Sequence, residues 1–300
     1  MNRTLAVAPV PAAPLLYAVP GAIHDGDTIV HTTARGEVGD VARVEGGYVL
    51  STRASDQEPA FRLYVVSDSG ETNKLADTLG SFAVSPDGRQ VASMTSTDLK
   101  VHAWDVTNGA PRGTWRPPWH VQPNGHVAYA GRVLVVGANT FEGKPLTFAW
   151  RPSSTSSRGL PAVASPSASG RSVAGLTHGC LTALRLSGTS YGWTSCDLAA
   201  DNLTGPEFSP NGKRVLAYPA QTDGFGPGSF SAVDVRTGRP VATFLPGDWT
   251  YGARWADDRH LWVSSASTGD ATDTIIRRCD LAGECTTVVK VAGRAVVGRP

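Results

Sequence analysis

One phrase of this chain comes back. Residues 82–109 read FAVSPDGRQVASMTSTDLKVHAWDVTNG, and residues 208–238 read FSPNGKRVLAYPAQTDGFGPGSFSAVDVRTG. Each runs from an apolar strand through a Pro-(Asp/Asn)-Gly turn to a second strand, a loop, and a third strand ending in Asp-Val before an X-Gly turn. A short unit of this kind cannot bury its apolar faces alone. It must stack on its neighbours, so the repeat restricts the chain to a repeat architecture.

The inner hairpin of each unit can be followed by its turn residue: Gly47, Gly88, Gly131, Gly170, Gly212 and Asp258. The successive spacings are 41, 43, 39, 42 and 46 residues. That is the period of a four-stranded propeller blade. Outer hairpins give a second series, at Asp25-Gly26, Ser69-Gly70, Asn108-Gly109, the Ser153–Ser157 run, Ser187-Gly188, Thr237-Gly238 and Ala282-Gly283. Glycine accepts the positive φ these turns demand. Seven outer hairpins against six inner ones leave strands to be supplied by the chain ends. VAGRAVV (291–297) and the Leu5–Val10 region, with Leu15–His31, are expected to supply them and so remove an open sheet edge. The fold class expected is therefore all-β: a seven-bladed β-propeller of four-stranded antiparallel blades closed by both termini, with six blades as the fallback. Residues 15–300 form its single domain, and residues 1–14 a Pro/Ala-rich linker or closing strand. No run has helical periodicity, whereas VARVEGGYVLST and GRVLVVGA read as strands.

Composition narrows the function. Charged residues make up only 18% of the chain and the net charge is +1, so no basic field exists to hold a phosphate backbone, and nucleic acid is not expected as a partner. No apolar run is long enough for a membrane-spanning helix. The opening MNRTLAVAPVPAAPLLYA is broken by Pro9, Pro11 and Pro14, which suits a linker following an anchor or export signal better than a cleavable signal. The four cysteines form two local pairs. Cys279 and Cys285 flank one turn, and Cys180 and Cys196 stand at the ends of one strand pair. Antiparallel pairing would bring each pair within disulfide reach, which predicts two disulfides and an extracytoplasmic location. None of the spacings is a zinc pattern.

SPDGRQVASMTSTDLKVHAWDVTNG (85–109) resembles a WD-repeat blade, including Trp104-Asp105 at the end of its third strand. The other units carry Val66-Ser67-Asp68, Val233-Asp234 and Cys279-Asp280 there, and the opening Gly-His of a WD repeat is missing. The chain therefore resembles WD-like or Tol-type bacterial propellers. Its CDLAGEC turn and Ala/Arg/Gly-rich composition are similar to those of actinobacterial secreted or membrane-tethered propellers. The resemblance implies a propeller fold but not the buried His–Asp network of true WD repeats.

In such a fold the strands hold geometry and the loops carry function. The face bearing the inter-blade connections and the middle loops is the expected binding surface. Its candidate residues are Trp115, Trp119 and His120 in WRPPWH, Phe141, Asp223 and Phe225 in QTDGFGPGSF, and Trp249 and Tyr251 in WTY. Tryptophan on a proline-stiffened segment can serve as an aromatic platform or as a wedge between blades. The remaining tryptophans, Trp104, Trp150, Trp193, Trp255 and Trp262, lie in strand-like runs and are expected to pack. His24-Asp25-Gly26-Asp27 reads as turn chemistry, with Asp capping its own backbone.

No histidine pair has ligand spacing, and there is no Gly-X-Ser-X-Gly or phosphate-binding glycine loop. No cofactor, catalytic residue or metal ligand is expected. The leading expectation is a non-enzymatic, monomeric binding or scaffold module for a protein, peptide or glycan. The rival is a metal-dependent lactonase, esterase or lyase at the central channel. It would draw on Asp56, Glu58, His120, Glu142, His178, Asp201 and Asp223. Convergence of three such groups on one point would favour the rival.

Overall fold

The computed structural model describes residues 14–55, 60–118, 121–200, 206–220, 228–246, 250–266 and 273–300. Among these, every regular element is a β-strand. The glycine turns of the sequence separate antiparallel strands, and Gly88, Gly131, Gly170 and Gly212 on the inner series, with Gly26, Gly70, Gly109, Gly238 and Gly283 on the outer, adopt positive φ.

Four sheets hold four strands each. They run from Val121 to Leu160, from Ala164 to Ser195, from Thr250 to Ala292, and from Leu16 to His31, the last completed by Val296–Val297. The sheet between Leu198 and Phe244 has five strands, because Leu198–Ala199 and Glu207–Phe208 both pair with Arg214–Pro219. The sheet from Glu37 to Trp115 has seven. Its central strand, Thr72–Val84, pairs through Thr72–Leu79 with one neighbour and through Thr78–Val84 with the other.

Apolar residues fill the seams between successive sheets. Met94, Val101 and Trp115 meet Tyr129, Leu134 and Trp150 in one cluster. Val44, Val49 and Leu63 meet Phe82, Val91 and Trp104 in another, which divides the seven-stranded sheet into two packed halves. Trp262 and Ile276 meet Val297, Leu15 and Tyr17, so the last sheet in sequence packs on the first. Of the expected packing tryptophans, Trp104, Trp150, Trp255 and Trp262 are buried, and Trp193 donates its indole N–H to the carbonyl of Val235 in the next sheet at 2.7 Å.

The C-terminal segment differs from its expected form. Val291 and Ala292 end the Cys285–Ala292 strand, and only Val296–Val297 of that run pair with Leu16–Val19. Gly298 then donates to Leu16 O, and Arg299 bonds both to Val41 O and from Arg43 N, at 2.8 to 3.0 Å. The short segment is thus held between the first sheet and the second. The Leu5–Val10 region lies outside the described residues.

Both cysteine pairs are disulfides, with Cα separations of 4.1 Å (Cys180–Cys196) and 4.0 Å (Cys279–Cys285). Cys279 and Cys285 sit directly opposite in register. No described helix is long and apolar enough to cross a membrane.

Candidate functional site

Strands from five of the sheets surround one channel. Asp40, Phe82, Tyr129, Ser167, Glu207 and Arg254 come from six different strands, and all line a cavity of about 220 Å³. A second cavity of about 200 Å³ lies toward the loop-bearing face, where Arg53, Phe61, Tyr218, Phe230 and Arg294 contribute to its wall. The two cavities share Asp40, Ser81, Glu207 and Arg254, so these side chains form a partition across the channel.

The partition is ionic and buried. Arg254 Nη1 lies 3.2 Å from Glu207 Oε2, and its Nη2 lies 3.5 Å from Asp40 Oδ1. Arg299 pairs with the other oxygen of Asp40, donates to Phe82 O at 3.3 Å, and rests over the Phe82 ring at 4.7 Å. Two carboxylates and two guanidinium groups share a space from which water is largely removed. Burial pushes the Glu207 carboxyl upward, Arg254 and Arg299 pull it back, and Asp40 adds to the rise. Nearer the loop face, Glu37 lies between Arg53 at 3.6 Å and Arg294 at 4.0 Å. None of these groups was among the candidates read from sequence. They stand far apart in the chain, and none sits in a motif.

The expected binding residues separate. Trp115 is 5% exposed and packs in the seam against Phe148, with ring centroids 5.2 Å apart. It therefore sits as an inter-sheet wedge and offers no surface platform. Phe141 is 63% exposed, in the connection between Val133–Thr140 and Pro145–Trp150. Leu99 and Leu245, also exposed, lie in connections on the same face. Tyr251 lies in the Thr250–Trp255 strand. Trp119, His120, Asp223, Phe225 and Trp249 lie outside the described residues.

The metal-site rival gains no assembled ligand set among the described residues, where no three His, Cys, Asp or Glu groups converge. Glu142 pairs with Lys144 at 3.1 Å, and His178 occupies the turn after Ser172–Thr177 at φ 52°. Asp56, Glu58, His120, Asp201 and Asp223 lie outside the described residues. Asp25, expected to cap its own turn, accepts instead from Arg43 and from the Tyr48 hydroxyl (3.1 Å) of the next sheet. Burial, with Asp25 second, pushes the Tyr48 hydroxyl up to about 12.

No protein-family model matches the chain. Its shape does have counterparts among solved structures. A chain of the "Crystal Structure of Mitotic Checkpoint Complex" superposes with a TM-score of 0.61 at 14% identity, covering 98% of this chain and 90% of that one. The Cps50 (Swd1) β-propeller domain of Myceliophteria thermophila gives 0.55 at 15% identity, covering 87% and 88%. TolB from Acinetobacter baumannii gives 0.48 at 12% identity, covering 88% and 66%. With the all-strand architecture and the channel, the first two likenesses define the class: the chain is a β-propeller, WD-like in fold.

Proposed function

We propose that the chain is a seven-bladed propeller, closed by both chain ends, that acts as a binding or scaffold module for a protein, peptide or glycan. The observation that carries this reading is the distribution of exposed large apolar side chains. Leu99, Phe141 and Leu245 are each 48–71% exposed in connections on the loop-bearing face. Leaving such groups in water is unfavourable by about 25 cal/mol per Å² of apolar surface, and a partner would remove that cost. The other exposed ones among the described residues, Ile29, Tyr191, Val241 and Val288, lie singly on outer strands. The two packed halves of the seven-stranded sheet support the count of seven blades, and the pairing of Val296–Val297 with the first sheet supports closure by both chain ends.

The test compares two sets of surface changes on the intact protein. Partner capture from the native source should fall at least tenfold in Phe141→Ser/Leu245→Ser and be unchanged in Ile29→Ser/Val288→Ser. Equal capture by both sets would remove the loop face from the reading. The two disulfides favour an extracytoplasmic site of action. Four free thiols in protein taken from its own compartment and counted in denaturant would exclude that location.

A further inference from the structure

Five first strands carry one or two extra residues near their loop-face ends, and their pairing slips between Val38 and Asp40, Thr78 and Phe82, Pro123 and Val127, Ala164 and Ser167, and Thr250 and Gly252. Bulges at one level of a ring turn backbone and side chains toward the channel. Two of them rest on glycines with positive φ, Gly80 (84°) and Gly125 (78°). At Gly125 no other residue fits, because a Cβ there would lie 2.0 Å from Leu79 O. In the next sheet the same place holds a serine. Ser165 has φ 47° and is followed by Pro166, although a proline steers the residue before it toward extended backbone.

The strain is held from several sides. Thr147 exchanges two hydrogen bonds with the backbone of Val163, at 2.9 and 3.0 Å. The hydroxyls of Tyr191 and Thr177 both donate to Ala162 O. Gly175 leaves room for Ala164 O, which would lie 2.6 Å from a Cβ there. A strained residue of this kind persists only where the surrounding structure holds it, and such residues cluster at active sites and ligand clamps. Its hydroxyl is also engaged. Ser165 Oγ lies 3.2 Å from Nε2 of His126, which follows Gly125 in the preceding sheet. Both residues are nearly buried, at 6% and 8% exposure, while Ser167 and Val127 beside them line the cavity of about 220 Å³.

We propose that Ser165 is a nucleophile toward small carboxylic esters, with His126 as its base. This reaction needs no metal ion and stands apart from recognition by the loop face. Ser165 Oγ bonds to the ester carbonyl carbon as its proton passes to Nε2 of His126. The carbonyl carbon–alkoxy oxygen bond then breaks, and the departing alcohol takes that proton. Water adds to the acyl-serine, and the acid leaves with Ser165 restored. The low exposure of both side chains restricts the acyl group to a small one.

The test treats the intact protein with p-nitrophenyl acetate and, separately, with a fluorophosphonate, then maps adducts by fragmentation of the 159–171 tryptic peptide. The expected result is one equivalent of adduct on Ser165 and none on Ser167 or Ser169. His126→Gln should slow its formation about 100-fold. Ser165→Gly should take no adduct yet melt about 2–4 °C higher, because glycine relieves the strain. An unlabelled wild-type Ser165 under both probes overturns the proposal, as does labelling undiminished in His126→Gln or a Ser165→Gly protein that melts lower.

Discussion

Asp105 ties down the turn that closes one outer hairpin. Its carboxylate accepts from the Thr107 N–H at 2.9 Å, from the Thr107 hydroxyl, and from Arg112. The Thr107 hydroxyl first, and Arg112 after it, hold the carboxyl down to about 2. A carboxylate whose folded value is depressed adds stability above its ordinary value of about 3.9, and that stability is lost as the pH falls toward 2. Asp105→Ala should cost about 1–3 kcal/mol at neutral pH in denaturant titration, and the difference from wild type should shrink in acid below about pH 3. No loss at neutral pH would show the turn held by other contacts. The Trp104-Asp105 pair was legible in the sequence because a hairpin end is a local object. Asp234 and Asp280 serve their own turns in the same way. Ser165 was not legible: nothing in ASPSAS marks a left-handed serine until strand pairing fixes its φ.

At the scale of elements, the turns and the cysteine pairs were readable for one reason, that each rests on residues close in sequence. The bulges were not readable, since a bulge belongs to a pairing between two strands rather than to either one. The C-terminal strand was only half readable, because VAGRAVV contains the end of one strand and the start of another with Gly293 at positive φ between them. The two disulfides close loops of different size, with sequence separations of 16 and 6. Loop-closure entropy then predicts unequal effects. Cys180→Ala/Cys196→Ala should lower stability by about 3 kcal/mol and Cys279→Ala/Cys285→Ala by about 2 kcal/mol. The order, measured in urea, is the informative part. The reverse order would point to the packing of Cys279, buried with Trp255 and Leu261, as the larger effect.

The partition in the channel is a property of the whole molecule. Asp40, Glu207, Arg254 and Arg299 meet only after the sheets have packed on one another, which is why no stretch of sequence announces them. Removing Arg254 takes from Glu207 its ion-pair partner and leaves Asp40 with Arg299 alone. Arg254→Met should therefore destabilise by about 3–5 kcal/mol. Glu207 behaves differently. Its burial outweighs the pull of Arg254 and Arg299, so the folded protein binds its proton more tightly than the unfolded chain does. For a carboxyl raised in this sense, the contribution to stability is complete below the unfolded value of about 4.3 and is lost as the pH rises through the raised folded value. Ionised Glu207 is thus a burden that the arginines only partly relieve. Glu207→Gln keeps the shape, stays neutral at every pH, and leaves Arg254 and Arg299 with Asp40. Its urea midpoint at neutral pH should equal or exceed that of wild type, and the fall in stability from pH 4 upward should flatten. A Glu207→Gln protein weaker than wild type by more than about 1 kcal/mol at neutral pH would mean that the ionised pair stabilises the ring. The partition would then act as a closing brace between sheets whose strands begin at Glu37, Glu207 and Thr250 and the C-terminal segment that carries Arg299.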